Sequence, residues 1–217
     1  MNNQATHIIN KLGWAEIELS SESLRNLNNL TNYSDSIINN KIVKFLENNH
    51  LHNEVTKSTI RSMLRYSSQS EIFVKSLIND LVKHQKGIED FYLTPPYIII
   101  HQPKDIKEVG NFHSDTLKYC GKSFTSWTPI NNYKMSYPAL SLLNKSHTFY
   151  IKIIYRILNR LKLSKNIRQI FKFLLIKPVD LIVKKNFTYL WHSDLIHKGN
   201  LNTASKTHLA LVTRISE

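Results

Sequence analysis

The chain has 217 residues, 41% of them hydrophobic and 21% charged, which suits one domain with a real core and excludes a disordered polypeptide. Its 29 Lys and Arg against 16 Asp and Glu leave a formal charge of +13, which favours anionic partners but is equally what an Asn-, Lys- and Ile-rich composition brings by drift. Five glycines, with neither G-x-G-x-x-G nor the P-loop pattern, argue against a glycine-rich nucleotide loop.

The N-terminus carries no charged start followed by an uninterrupted apolar run, and the single cysteine, Cys120, permits no internal disulfide. A reducing cytoplasm is the expected location. From about residue 20 to 90 apolar residues recur at three- and four-residue spacing, which predicts a helical layer over 1–90. "SSESLRNLNNL" opens on a serine cap signal, and "SEIFVKSLINDLVKHQKG" carries a stripe of Ile72, Phe73, Leu77, Ile78 and Leu81.

After "LTPP" the texture changes. "YIIIHQ" reads as a buried strand, "KSFTSWTPI" alternates, and "PALSLLN", "NFTYLWHSDLIH" and "THLALVTRIS" are further strands. Between them, residues 150–186 repeat apolar and basic residues at helical spacing and contain one acid, Asp180, so a basic helical insertion is expected. It fits a helix pair with a solvated basic face, or a surface for an anionic substrate or an acidic membrane. The apolar windows at 97–100 and 170–176 are too short to span a bilayer.

"HSD" occurs twice, at His113 to Asp115 and at His192 to Asp194. Histidine and aspartate two apart on a strand point to one face, so His113 and Asp115 can both reach one ion. A mononuclear iron(II) site of the two-histidine, one-carboxylate kind needs a second histidine from another strand, for which His192 and His197 are candidates.

The ordered set of "FHSD", the Trp-containing strand "SFTSWTPI", the "KSH" turn and "HKGNLN" resembles the phytanoyl-CoA dioxygenase-like family of iron(II)- and 2-oxoglutarate-dependent oxygenases over residues 97–217. The resemblance implies an α+β chain, 1–217 forming one oxygenase domain: N-terminal helices over 1–90, then a double-stranded β-helix (jelly-roll, cupin-like) core over 91–217. It implies Fe(II), 2-oxoglutarate and O₂ as cofactors and cosubstrates. His113, Asp115 and His197 would be the metal ligands, with His192 and Asp194 supporting or structural.

Thr125 and Trp127 would line the cosubstrate pocket, Lys118 and Tyr119 would reach substrate, and Asn202 matches an asparagine that follows the distal histidine. Where the family has an arginine for the far carboxylate of 2-oxoglutarate, this chain has His208. A guanidinium grips a carboxylate with two parallel bonds and an imidazole does not. Arg214, on the same strand face, or Lys206 are the other candidates. The implied activity is hydroxylation of an unactivated C–H bond in a small-molecule or carrier-bound metabolite; Asp115 argues against halogenation. A jelly-roll binding protein that has lost its cosubstrate is the alternative, and no nucleic-acid motif supports a third reading as a basic nucleic-acid binder.

Overall fold

The computed structural model describes residues 3–39, 53–84, 92–93, 96–104, 111–115, 123–130, 137–160, 178–205 and 207–216. Helix α1, Asn3–Leu12, ends on Gly13, whose φ of 91° and amide bond to the Ile9 carbonyl (2.8 Å) make a left-handed helix stop. The turn delivers the chain straight into β1, Trp14–Glu18. The N-terminal ninety residues are therefore not purely helical, which departs from the expectation their spacing gives: buried Ala15 and Ile17 alternate with half-buried or exposed neighbours, and five residues are too few for a helical period to contradict.

Helix α2, Ser21–Ile38, is capped by Ser20, whose hydroxyl accepts from the Ser23 amide. Helices α3, Asn53–Arg65, and α4, Ser68–His84, complete the layer. Leu27, Leu30, Leu64, Phe73, Leu77 and Leu81 are fully buried in it. Of the expected α4 stripe, Ile72 is instead exposed; Val74 is buried in its place.

Strands β2, Tyr92–Leu93, and β3, Tyr97–His101, lead into β4, Ser123–Pro129, and β5, Pro138–Leu143. Helix α5, Phe149–Arg160, is followed by β6, Pro178–Ile182, β7, Phe187–His192, β8, His197–Gly199, and β9, His208–Ser216. Among the described residues of the expected helical insertion, those up to Arg160 are helical and those from Pro178 on are not. Residues 178–182 pair with β5, because Pro178 has no amide for a helix and Val179 and Ile182 are β-branched; residues 161–177 lie outside the described residues. Phe149 and Tyr150 at the start of α5 are exposed.

The larger antiparallel sheet runs β1-β7-β4-β9-β2, with β3 also paired to β9; the smaller runs β6-β5-β8. His113 adds an isolated bridge to the free side of β8, exchanging both backbone bonds with His197 at 2.9 and 2.8 Å. The period of two divides each strand of the larger sheet between two cores. Ile98, Ile100, Leu209, Leu211 and Ile215 face the helices, while Trp127, Tyr189, Trp191, Ala210 and Val212 meet Leu140, Leu142 and Leu181. This is the expected jelly roll with helices on one outer face.

Candidate functional site

The bridge between His113 and His197 sets two imidazoles side by side, with ring centroids 4.5 Å apart. Their outer nitrogens are committed. His113 Nδ1 lies 2.8 Å from the Asn111 carbonyl and His197 Nδ1 3.0 Å from the Leu195 carbonyl, so each Nδ1 carries the proton and each Nε2 presents a lone pair. Asp115 closes the triangle: its carboxylate stands 3.9 Å from His113 Nε2 and 3.5 Å from His197 Nε2. Ligands bonded at about 2.1 Å at right angles around one ion stand roughly 3 Å apart, so the group needs only a small contraction to hold a metal.

The donor chemistry fits a divalent transition metal. One atom from each of the three residues lies within 4.8 Å of the others. Burial holds the His197 pKa below its ordinary value; Asp115 and the Leu195 carbonyl act against this, and His113 and Arg214 with it. A neutral imidazole is the form that binds metal. The Asp115 carboxylate is itself held on both sides: Thr125 donates to Oδ2 at 3.0 Å and Arg214 to Oδ1 at 2.9 Å.

That clamp follows from register. Thr125 on β4 lies opposite Arg214 on β9 and Trp191 on β7, so all three project to one inner face beside Asp115. The cluster stands in a cavity of about 230 Å³ that continues between the sheets along Tyr97, Ile99 and His101 of β3. Trp127 and Trp191 line it, and neither buried indole N–H has a hydrogen-bond partner among the described residues.

His208 is elsewhere. Six residues before Arg214 on β9, at about 3.3 Å per residue, it lies roughly 20 Å along the strand from it, opposite His101. There it is buried and stacked on Tyr137, whose hydroxyl is 2.6 Å from His208 Nδ1. Burial first, and His101 second, lower its pKa to about 4, and burial raises that of Tyr137 to about 12. Both groups are uncharged at neutral pH.

The structure thus gathers His113, Asp115, His197, Trp127 and Arg214 around one cavity, with Thr125 bonded to Asp115 beside it; His208 does not line the cavity, although its β3 partner His101 does. His192 and Asp194 lie outside the metal cluster: they face each other at 3.8 Å, and His192 stacks on His147 and Phe124. Asn202 ties the loop after β8 to β3 through the His101 carbonyl at 2.8 Å. Lys118, Tyr119 and Lys206 lie outside the described residues. Sequence reasoning missed Trp191, whose ring lies 4.9 Å from His197, as well as Tyr137 and His101. Trp191 had a signal, since it precedes "HSD" on a strand; Tyr137 and His101 had only their positions.

No protein-family model matches the chain, and no curated protein sequence does. Solved structures do match in fold. The non-heme α-ketoglutarate-dependent carbocyclase SnoK from nogalamycin biosynthesis aligns over 100% of this chain and 84% of its own, at TM-score 0.66 and 11% identity. AviO1 from Streptomyces viridochromogenes Tue57 aligns over 98% and 93%, at TM-score 0.63 and 9% identity. EctD from S. alaskensis, solved with bound Fe, aligns over 100% and 76%, at TM-score 0.59 and 9% identity.

Proposed function

We propose that this chain is an Fe(II)- and 2-oxoglutarate-dependent oxygenase that hydroxylates an unactivated C–H bond of a small-molecule or carrier-bound metabolite. The observation that carries the proposal is the convergence of two Nδ1-anchored histidines and a clamped aspartate at one end of a jelly-roll cavity. This donor set leaves three positions open on a six-coordinate ion. The fold shared with SnoK and with iron-loaded EctD agrees with it.

When bound, the iron would couple oxidative decarboxylation of 2-oxoglutarate to oxidation of the substrate. The chain's own contribution is positional. His113, His197 and Asp115 would hold the metal, and Thr125 and Arg214 fix the orientation of the Asp115 carboxylate that would bind it. Arg214 also offsets the charge of the Asp115 carboxylate, whose side chain is largely buried. Trp127, Trp191, Ile99 and Val212 exclude water from the cavity, and the two indole N–H groups are neutral donors for oxygens of a bound acid.

The test is succinate formation from 2-oxoglutarate with Fe(II), ascorbate and air. Slow turnover without added substrate, abolished in Asp115→Ala and His113→Ala, is the expected result; no succinate from the folded, metal-loaded protein would count against it. One observation favours a second reading, a binding protein without turnover: the position resembling the family's arginine is the neutral His208. No described helix is long and apolar enough to cross a membrane.

A further inference from the structure

Independently of the reaction, we propose that helix α5 lies in the surface of an anionic lipid membrane, with Phe149, Tyr150 and Ile157 at the acyl boundary and its basic residues among the headgroups. The observation is an apolar helix that the fold does not bury. Phe149, Tyr150 and Ile157 are 69, 78 and 52% exposed, and Ile151, Ile153 and Ile154 are only half-buried. None of these six joins or packs against either core. Single exposed apolar residues are ordinary on a protein surface; here they gather on one element. Phe149, Ile153 and Ile157 follow one another at four-residue spacing, and exposed Arg160 ends the stripe. The Phe149 and Tyr150 rings at its start pack edge to face, with centroids 6.1 Å apart.

The place of the helix is fixed by the turn before it. The Lys145 amide donates to the Leu12 carbonyl at 2.8 Å, and Ser146 Oγ accepts from the Ile196 amide at 2.7 Å. Ile196 precedes His197, so α5 is rooted beside the strand that carries the metal cluster.

Charge selects the occupant of this face. Residues 149–177 include Lys and Arg at every second turn or closer and no Asp or Glu, in a chain of formal charge +13. A second copy would bring the same charge to the same face, which opposes self-association. A groove on an acidic protein takes a narrow stripe of helical anchors, whereas the half-buried and exposed apolar residues of α5 spread over most of its turn. A lipid surface demands no matching shape, and anionic headgroups attract each nearby Lys or Arg. The 12 residues of α5, at about 1.5 Å each, reach roughly 18 Å and so cannot cross a hydrocarbon core of about 30 Å; the helix lies in the interface.

The experiment is co-sedimentation of the full chain with phosphatidylcholine vesicles, pure or with about 30% phosphatidylserine, at about 0.1 and about 1 M NaCl. The expected result is binding to the anionic vesicles at the lower salt, weakened at least about tenfold on neutral vesicles and at the higher salt. Arg160→Glu should lower the partition coefficient about fivefold or more. Phe149→Asp and Ile157→Asp should each lower it about tenfold, while Tyr66→Asp, at an exposed ring just beyond α3, should leave it unchanged. All four positions are exposed, and a circular-dichroism melt confirms folding of each variant. No binding to anionic vesicles, equal binding to neutral ones, or a loss in Tyr66→Asp as large as in Phe149→Asp overturns the proposal. Retention by an immobilised acidic acyl carrier protein, with no vesicle binding, overturns it too and assigns the face to a protein partner.

Discussion

Thr125→Val isolates the support of Asp115 from the ligands themselves. Thr125 is fully buried, and its hydroxyl gives Asp115 Oδ2 a 3.0 Å hydrogen bond, with Ser193 Oγ a more distant 3.4 Å neighbour. Valine keeps the β-branched shape that β4 accepts, so the perturbation is confined to the hydroxyl. A bond to an ionised acceptor contributes about 1.5–3 kcal/mol. Without it the carboxylate is held through Oδ1 by Arg214 alone, whose side chain is 39% exposed, and it is free to turn about its χ2 bond. Metal affinity should fall about 10- to 100-fold, as partners of ligating carboxylates generally show. Anaerobic Fe(II) or Co(II) titration reads this directly, with a circular-dichroism melt to confirm folding. An affinity within about twofold of wild type in the folded variant would refute the role given to Thr125 and weaken that of Asp115.

Arg214→Met should destabilise the apo-protein in urea unfolding, by leaving the Asp115 carboxylate without its charged partner, and added divalent metal should restore part of that loss. Leu77→Ala, in the helical layer away from the cavity, should cost about 2–5 kcal/mol in urea unfolding and leave metal affinity unchanged. Gly13→Ala should destabilise by at least about 1 kcal/mol: φ is +91°, and the new Cβ would meet the His147 ring and stand 2.6 Å from Leu195 Cδ1. Acid should unfold the apo-protein. His208 is depressed to about 4 and His197 is also lowered, so their contribution is fully present above the unfolded value of about 6.5 and is lost as pH falls through the folded values. For His208 the shift corresponds to about 3 kcal/mol, read as a falling urea midpoint between pH 6.5 and 4.

Much of the site was legible because metal chemistry is local in sequence. His113 and Asp115 are two apart, and the resemblance chose His197 over His192 as the second arm; their meeting required only that β8 pair with the segment carrying His113, which it does. Of the two candidates, His197 is in the cluster and His192 is not, because the turn after β7 separates them and puts the latter against Phe124 and His147. The shared face of His208 and Arg214 was also readable from the period of two. What that period could not give was distance along the strand, which separates a residue touching Asp115 from one touching Tyr137.

The two strands missed in helical texture share one cause. Short strands bounded by helical texture, β1 and β6, have no period of their own to announce them, and the sheet recruits them through neighbours distant in sequence, β7 and β5. Ile72 was assigned to the buried stripe because spacing fixes a helix's apolar face only to within one residue's rotation.

The central claim is that His113, Asp115 and His197 bind Fe(II) with open positions for a chelating 2-oxo acid. It is tested most directly by anaerobic addition of Fe(II) and then 2-oxoglutarate to the apo-protein at pH 6.5, watching for the weak visible charge-transfer band of the chelate. The account predicts a band that forms with wild type at one iron per chain and is absent in His113→Ala. Iron bound without a band, or a band of equal strength in His113→Ala, would contradict it.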